Sequence, residues 1–547
     1  MLHRLLTRMR PDDKSDPRRL HELARHAAIE GRVEQARELL ERALSLDPLS
    51  PDAYSDLGNV CLLLGDDESA ERSYLTAIAL SAHHAPALAN LGQLRAGRGD
   101  RADALDSFRQ AVRADPWAVQ AIRGLVDWLP DDAVPHEEIA LLRDITRRFP
   151  DHAAAFAALG RLHMRGAFDP EPAVAGLERA IALGQQDADT VCALGAALQE
   201  VGRLDEALAA YDRASSIEPE HVGARFHRAI ALLTLGRFAE GWPDYELRLR
   251  SDDRPQRAFP FQRWGGESLT GKTILVHAEQ GIGDEILFAS CLPEIVAAAK
   301  HCVIDCAPKL AAIFARSFPS ATVHGGHQGD PVDWALQLGI DVQIPTGSVP
   351  LHLRSAAAAF PAHPGYLRAD LAKVERWRAR LAALGPGRAF GISWRGGTLR
   401  TRANRRSLSL SDLAPVLREP GFHFVSLQYG PDAAAEVDRF AAMTGIRIHH
   451  WPEAIDDYDE TAALATALEG IVSVCTAIVH LGGALGRPVE VLTPRVPEWR
   501  YGASGDRMPW YPSVHLVRQS GSGDWAPVVD AVCRELRDAR KRVGGPD

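Results

Sequence analysis

The chain predicts an α-helical solenoid followed by an α/β region of two Rossmann-like domains. Three observations carry this: a 34-residue repeat in the first half, a change after Thr273 to short apolar strands alternating with helices, and the stretch ILVHAEQGIGDEILF at residues 274–288. That stretch has the form of a strand, a tight turn and a helix start, the place where open α/β sheets hold their ligands. Gly281 and Gly283 are the residues expected to turn the backbone and let it approach a ligand closely.

The repeat is legible residue by residue. Gly31, Gly65 and Gly99 stand 34 apart, as do Ala36, Ala70 and Ala104, and Leu57-Gly58 returns as Leu91-Gly92. The pattern continues through Leu159-Gly160, Leu194-Gly195, Gly202 and Gly236 with one slip of a residue. Each unit reads as two amphipathic helices, with small residues where the helices cross and a glycine closing the turn between them. Asp47-Pro48 and Asp115-Pro116 end the second helix of their units. This layout resembles the tetratricopeptide repeat. About seven units fill residues 18–250, behind an N-terminal tail of residues 1–17, and the unit around 119–151 is degenerate. Such units bury their faces only by stacking, so a right-handed superhelix with a concave surface is expected. The resemblance implies a protein or peptide partner; the other reading is that the repeats only carry and dimerise a catalytic domain. Asp187-Ala-Asp189 matches the metal-holding Asp-x-Asp of some sugar transferases, but its place at a helix start makes it a capping group instead.

Composition narrows the classes. A length of 547 residues exceeds one ordinary core, so about three domains are expected. A net charge of −10 argues against general nucleic-acid binding. The basic N-terminus lacks the continuous apolar centre of a secretory signal, and no stretch is apolar enough to span a bilayer. Seven scattered cysteines are not a disulfide framework, and CVIDCA (Cys302, Cys306) reads as a buried strand with core thiols rather than a metal site. A cytoplasmic protein is expected.

Residues 251–272, rich in proline, glycine and aromatics, mark the boundary, with Phe259, Phe261 and Trp264 packing the linker onto a neighbour. Beyond it come TILVHA, CVIDCA, ATVHG and DVQIP, then AFGISW, FHFVSLQ, IRIHHW, GIVSVC and PVEVLT. Strands separated by helical stretches predict parallel sheets with crossover helices. The helix-like LAKVERWRARLAAL at 371–384 divides them into domains 273–385 and 386–547, with ligands bound between the two.

Two stretches of the second domain have anion-binding chemistry. SWRGGTLRTRANRRS at 393–407 holds Arg395, Arg400, Arg402, Arg405 and Arg406, a Gly-Gly pair and no acid. An arginine-rich loop after an apolar strand suits a diphosphate; the bland alternative is a solvated surface loop. Further on, Thr476 would cap a helix from Ala477 to Leu485, leaving its N–H groups for an anion. His480 lies just over a turn inside that helix, as a ligand contact or as a structural histidine.

A repeat array followed by W-x-G-x-x-L-x-GK-T-I-L-V, EQGIGDEILF, ISWRGG, RSLSLSDLAPVL, FVSLQYG, DYDETAALATALEGIVSVCTAIVHLGGALGRPV, PEWRYG and PWYPSV resembles the bacterial repeat proteins with a heptosyltransferase-like domain of glycosyltransferase family nine. The resemblance implies a GT-B fold and inverting transfer of a sugar from a nucleotide-diphosphate donor, the donor being a substrate and no cofactor or metal being required. It implies that Asp284 is the base activating the acceptor hydroxyl, with Gln280, Gly281, Gly283 and Glu285 on the acceptor side. Donor binding would fall to Ser393, Arg395, Gly396, Arg406, Gln428, Thr476, Ala477 and His480. The family commonly has Asp-Thr or Asp-Ser-Gly where this chain has Cys475-Thr476-Ala477, so a carboxylate that would bond sugar hydroxyls is missing.

Two other classes remain. A binding protein or scaffold could keep the fold without activity, which Cys475 favours. A dinucleotide-dependent oxidoreductase would use Gly281-Ile-Gly283 as half a fingerprint, but the third glycine is absent.

Overall fold

The structure, a computed structural model, describes residues 15–130, 133–165, 168–250, 257–327, 329–397, 402–403, 405–521 and 523–543. The chain divides into two compact units, residues 1–197 and 198–547, and the boundary falls inside the helix Ala188–Glu200.

In the first unit the 34-residue period becomes paired helices: Pro17–Ile29 with Val33–Leu46, Pro51–Leu63 with Asp67–Leu80, and Ala85–Gly97 with Arg101–Ala114. The periodic alanines Ala36, Ala70 and Ala104 are wholly buried. Gly92 is glycine because a Cβ there would stand 2.6 Å from the Phe108 ring, and Gly58 meets Tyr74 in the same way one repeat earlier. The inter-helix glycines are left-handed, with φ of 76° at Gly31 and 78° at Gly65, a conformation a side chain disfavours. Side chains cap the helix starts: Ser50 accepts from Ala53 N and Asp66 from Ser69 N. The degenerate fourth unit has a first helix of only nine residues, Val119–Asp127, before His136–Arg148. Asp187 accepts from the Thr190 amide at 2.9 Å, the capping role expected of it.

The second unit begins with the last helices of the array, Leu204–Ile217, Val222–Thr234 and Phe238–Tyr245, and continues into two sheets. The first sheet comprises β1 (Gln262–Arg263), β2 (Thr273–His277), β3 (His301–Cys306), β4 (Thr322–Gly325) and β5 (Val342–Pro345), in the order β1-β5-β2-β3-β4, all parallel. The second comprises β6 (Arg388–Ser393), β7 (Phe422–Ser426), β8 (Ile448–His449), β9 (Gly470–Val474), β10 (Val489–Thr493), β11 (Arg507–Met508) and β12 (Tyr511–Arg518), in the order β11-β12-β10-β9-β6-β7-β8. Only β11 is antiparallel. All nine expected strands form, and the helix Leu371–Ala382 separates the two sets. β2 and β9 are buried along their whole length, as a sheet covered on both faces requires.

Within the second unit the last repeat helix packs directly on the sheet region. Trp242 is 1% exposed; its indole N–H donates to the Arg354 carbonyl at 2.7 Å, and it meets Trp499 edge-on at 5.6 Å. Phe259 and Trp264 are buried as expected, and Trp264 N donates to Gln343 O at 2.8 Å. The final repeat shares one aromatic core with both sheets. Residues 251–256 lie outside the described residues. All seven cysteines are buried and free, and no helix of the described residues is long and apolar enough to cross a membrane.

Candidate functional site

A cavity of about 920 Å³ opens between the two sheets, at the carboxyl end of β2 on one side and of β9 on the other. After β2 the chain passes Glu279, Gln280 and Gly281 into the helix Ile282–Ala289. Gly281 has φ −81°, a conformation open to any residue. Gly283 is small for packing: a Cβ there would lie 3.3 Å from His480 and 3.5 Å from the Ala477 Cα. The two helix starts that the sequence singled out thus meet across the cavity.

From the second sheet, Thr476 caps the helix Ala477–Ala484, its hydroxyl accepting from Ile478 N at 3.3 Å. His480 is buried, 3.3 Å from the Tyr511 hydroxyl, and burial holds its imidazole well below the usual range, so it is neutral. Burial pushes the neighbouring Cys475 thiol up to about 12. A neutral thiol therefore stands beside Thr476 on the cavity wall.

The charges form a ladder. Arg406 pairs with Glu498, Glu498 lies 2.6 Å from Arg500, and Arg500 pairs with Asp284. Asp284, with its side chain 22% exposed, has its pKa raised because burial outweighs the stabilising Arg500 charge. Glu285, one residue on and rotated about 100°, faces away from this cavity. Its carboxylate accepts from Ala307 N at 2.9 Å, and burial raises its pKa to about 7. It lines a second, smaller cavity instead.

Of the expected residues, Gln280, Gly281, Gly283, Asp284, Arg406, Thr476, Ala477 and His480 line the large cavity. Ser393, Arg395, Gly396 and Gln428 do not. Gln428 is fully occupied: its carbonyl oxygen accepts from Ser393 Oγ and from the Trp394 and Arg395 amides, and its amide donates to the Arg395 and Tyr429 carbonyls. It fixes the loop. Gly396 allows close approach, since a Cβ there would come within 3.0 Å of the Cys475 carbonyl.

The arginine loop is free of acids only in sequence. Arg395 meets Glu436 at 3.1 Å, Arg402 pairs with Glu200, and Arg406 pairs with Glu498. Arg400 lies outside the described residues. Sequence reasoning missed Glu498, Arg500 and Tyr501, although they sit in the PEWRYG motif. It also missed Phe226, Tyr245 and Arg248, which the last repeat brings to the wall. Arg248 donates to Glu279 at 2.9 Å and Tyr245 to Gln280 at 3.3 Å, so the repeat holds the turn after β2 in place. Among the described residues no group of three or more His, Cys, Asp or Glu is arranged to hold a metal ion.

These features define a tetratricopeptide-repeat protein with a C-terminal α/β region of two mainly parallel sheets, and the tetratricopeptide-repeat family matches residues 21–85 and 192–258. The chain is 31% identical over 493 residues to Protein FlbA of Caulobacter vibrioides, covering 87% of this chain and 82% of that protein. It belongs to the Protein FlbA family. Superkiller complex protein 3 of Mus musculus is 26% identical over 318 residues, which span 52% of this chain and 20% of that one. Among solved structures, YrrB, a TPR protein with an unusual peptide-binding site, is 20% identical with a TM-score of 0.27, covering 34% of this chain and 95% of that one.

Proposed function

We propose that the protein is an inverting, metal-independent glycosyltransferase of GT-B arrangement, moving a sugar from a nucleotide-diphosphate donor to an acceptor hydroxyl. The observation that carries this is the ladder Arg406–Glu498–Arg500–Asp284 along one cavity, beside the capped start of the helix Ala477–Ala484. Transfer needs a base for the incoming hydroxyl and stabilisation of the departing diphosphate, on opposite sides of the sugar. Asp284, on the first sheet's helix, supplies the base. Arg406 and the amides after Thr476, on the second sheet, receive the diphosphate. A neutral His480 adds no competing charge at this point.

The resemblance to heptosyltransferase-like domains agrees with this reading, and the repeats suit a protein acceptor. Seven unpaired thiols fit work in the cytoplasm. A second reading, a binding protein without transfer activity, is favoured by Cys475 and by the Arg500 guanidinium already holding Asp284.

Thermal shift against UDP, GDP and ADP tests the donor site. The transferase reading expects at least one nucleotide to raise the melting temperature, and Arg406→Ala to weaken binding by roughly 1.5–3 kcal/mol. No shift with any of the three, or an unchanged affinity in Arg406→Ala, removes the donor site.

A further inference from the structure

The last repeat puts an apolar stripe into the cavity that holds Asp284. Val222, Phe226 and Ile230 all line it, and their spacing of four sets them on one face of the helix Val222–Thr234. Val222 is 39% exposed, and Phe226 and Ile230 are half-buried against the core. The stripe runs about 12 Å along the helix, room for one or two amino-acid side chains and less than a long lipid tail needs.

The polar side chains that the repeat and the turn after β2 bring to this side of the cavity are spent on one another. Arg248 donates to Glu279 at 2.9 Å, Gln280 donates to the same carboxylate at 2.9 Å, and Tyr245 donates to Gln280 at 3.3 Å. Lys309 also lines the cavity from the first sheet's side, as a single exposed cation. A saccharide acceptor would bring a ring of hydroxyls to a wall with one cation to meet them, at the cost of polar atoms left unpaired. An apolar side chain would instead take the stripe out of water, which is favourable.

We propose that Val222, Phe226 and Ile230 form an acceptor subsite that seats an aliphatic or aromatic side chain, so that the acceptor is a polypeptide serine or threonine beside such a residue. This rests on the transferase reading, in which Asp284 fixes where the hydroxyl stands and the second sheet holds the donor.

Saturation-transfer NMR titration of the full-length protein tests this with four probes. They are an acetylated, amidated pentapeptide with threonine between leucine and isoleucine, its counterpart with threonine between two asparagines, lactose and geraniol. The apolar peptide should bind at least fivefold tighter than the polar one. Val222→Asp, at an exposed position that leaves folding intact, and Phe226→Ala should each weaken the apolar peptide at least fivefold. Equal affinity for the two peptides, no binding of the apolar one, or its wild-type affinity in Val222→Asp overturns the subsite. Lactose or geraniol losing more affinity than that peptide in these variants overturns it too. If Phe226→Ala fails to fold, Val222→Asp decides alone. Nucleotide thermal shifts on the same proteins report the transferase reading separately: the expected peptide result without any nucleotide shift keeps the apolar subsite and removes the donor site.

Discussion

Replacing Arg500 by alanine probes the charge ladder at its centre. Arg500, with its side chain 14% exposed, joins Asp284 to Glu498. Each charge-assisted bond contributes roughly 1.5–3 kcal/mol when its partner is buried. Asp284 and Glu498 are 22% and 27% exposed and regain some hydration, and Glu498 keeps Arg406. The expected net loss is therefore about 2–4 kcal/mol at pH 7, not the sum of both bonds. The pH dependence follows from Asp284. Burial already raises its pKa while Arg500 opposes that rise, so the variant's folded-state pKa lies higher still. An acid whose folded pKa is raised loses its stability contribution as pH increases, and the variant's deficit should shrink as pH falls from 7 towards 5. Urea unfolding followed by tryptophan fluorescence, which Trp499 and Trp510 near the ladder make sensitive to this unit, measures both effects. A loss below about 0.5 kcal/mol, or a deficit that grows on acidification, would refute the reasoning.

Two further outcomes are expected. Glu285→Gln removes an acid with a folded pKa of about 7 against an unfolded value of about 4.3. That acid's stability contribution is complete below the lower value and lost as pH rises through the upper one, so the variant should gain roughly 2–4 kcal/mol on wild type between pH 4 and 8, read from unfolding midpoints across that range; a pH-independent difference contradicts the assignment. Gly92→Leu forces a side chain into the Phe108 ring and should cost about 1–3 kcal/mol by overpacking, seen as a lower helical melting temperature; an unchanged melt would mean that the helices part freely there.

The helical array was legible because one pattern is written repeatedly: the alanines that recur every 34 residues are those found wholly buried. The nine strands were legible because sheets covered on both faces need continuous apolar runs. The longest strand of the second sheet, Tyr511–Arg518, escaped notice, since its alternating burial and leading proline make it read as a motif in a loop. The site was only half legible. Asp284, Thr476 and His480 stand beside helix starts, a local signal, and they reach the cavity. Gln428 has no local signal that its polar atoms are all used, and the arginines at 395, 402 and 406 gave no sign that Glu436, Glu200 and Glu498 would neutralise them from distant parts of the chain. Arg500 reaches Asp284 across 216 positions of sequence, and no periodicity records such a pairing.

The most direct test of the central claim is the rate of sugar transfer by Asp284→Asn, measured with whichever nucleotide sugar the thermal-shift panel selects. Asparagine keeps the shape and an oxygen that can accept from Arg500, so folding and donor affinity should stay near wild type. As the general base, Asp284 predicts transfer lowered by about 10²-fold or more. Transfer at the wild-type rate would contradict the account, even with the fold and the donor cavity intact.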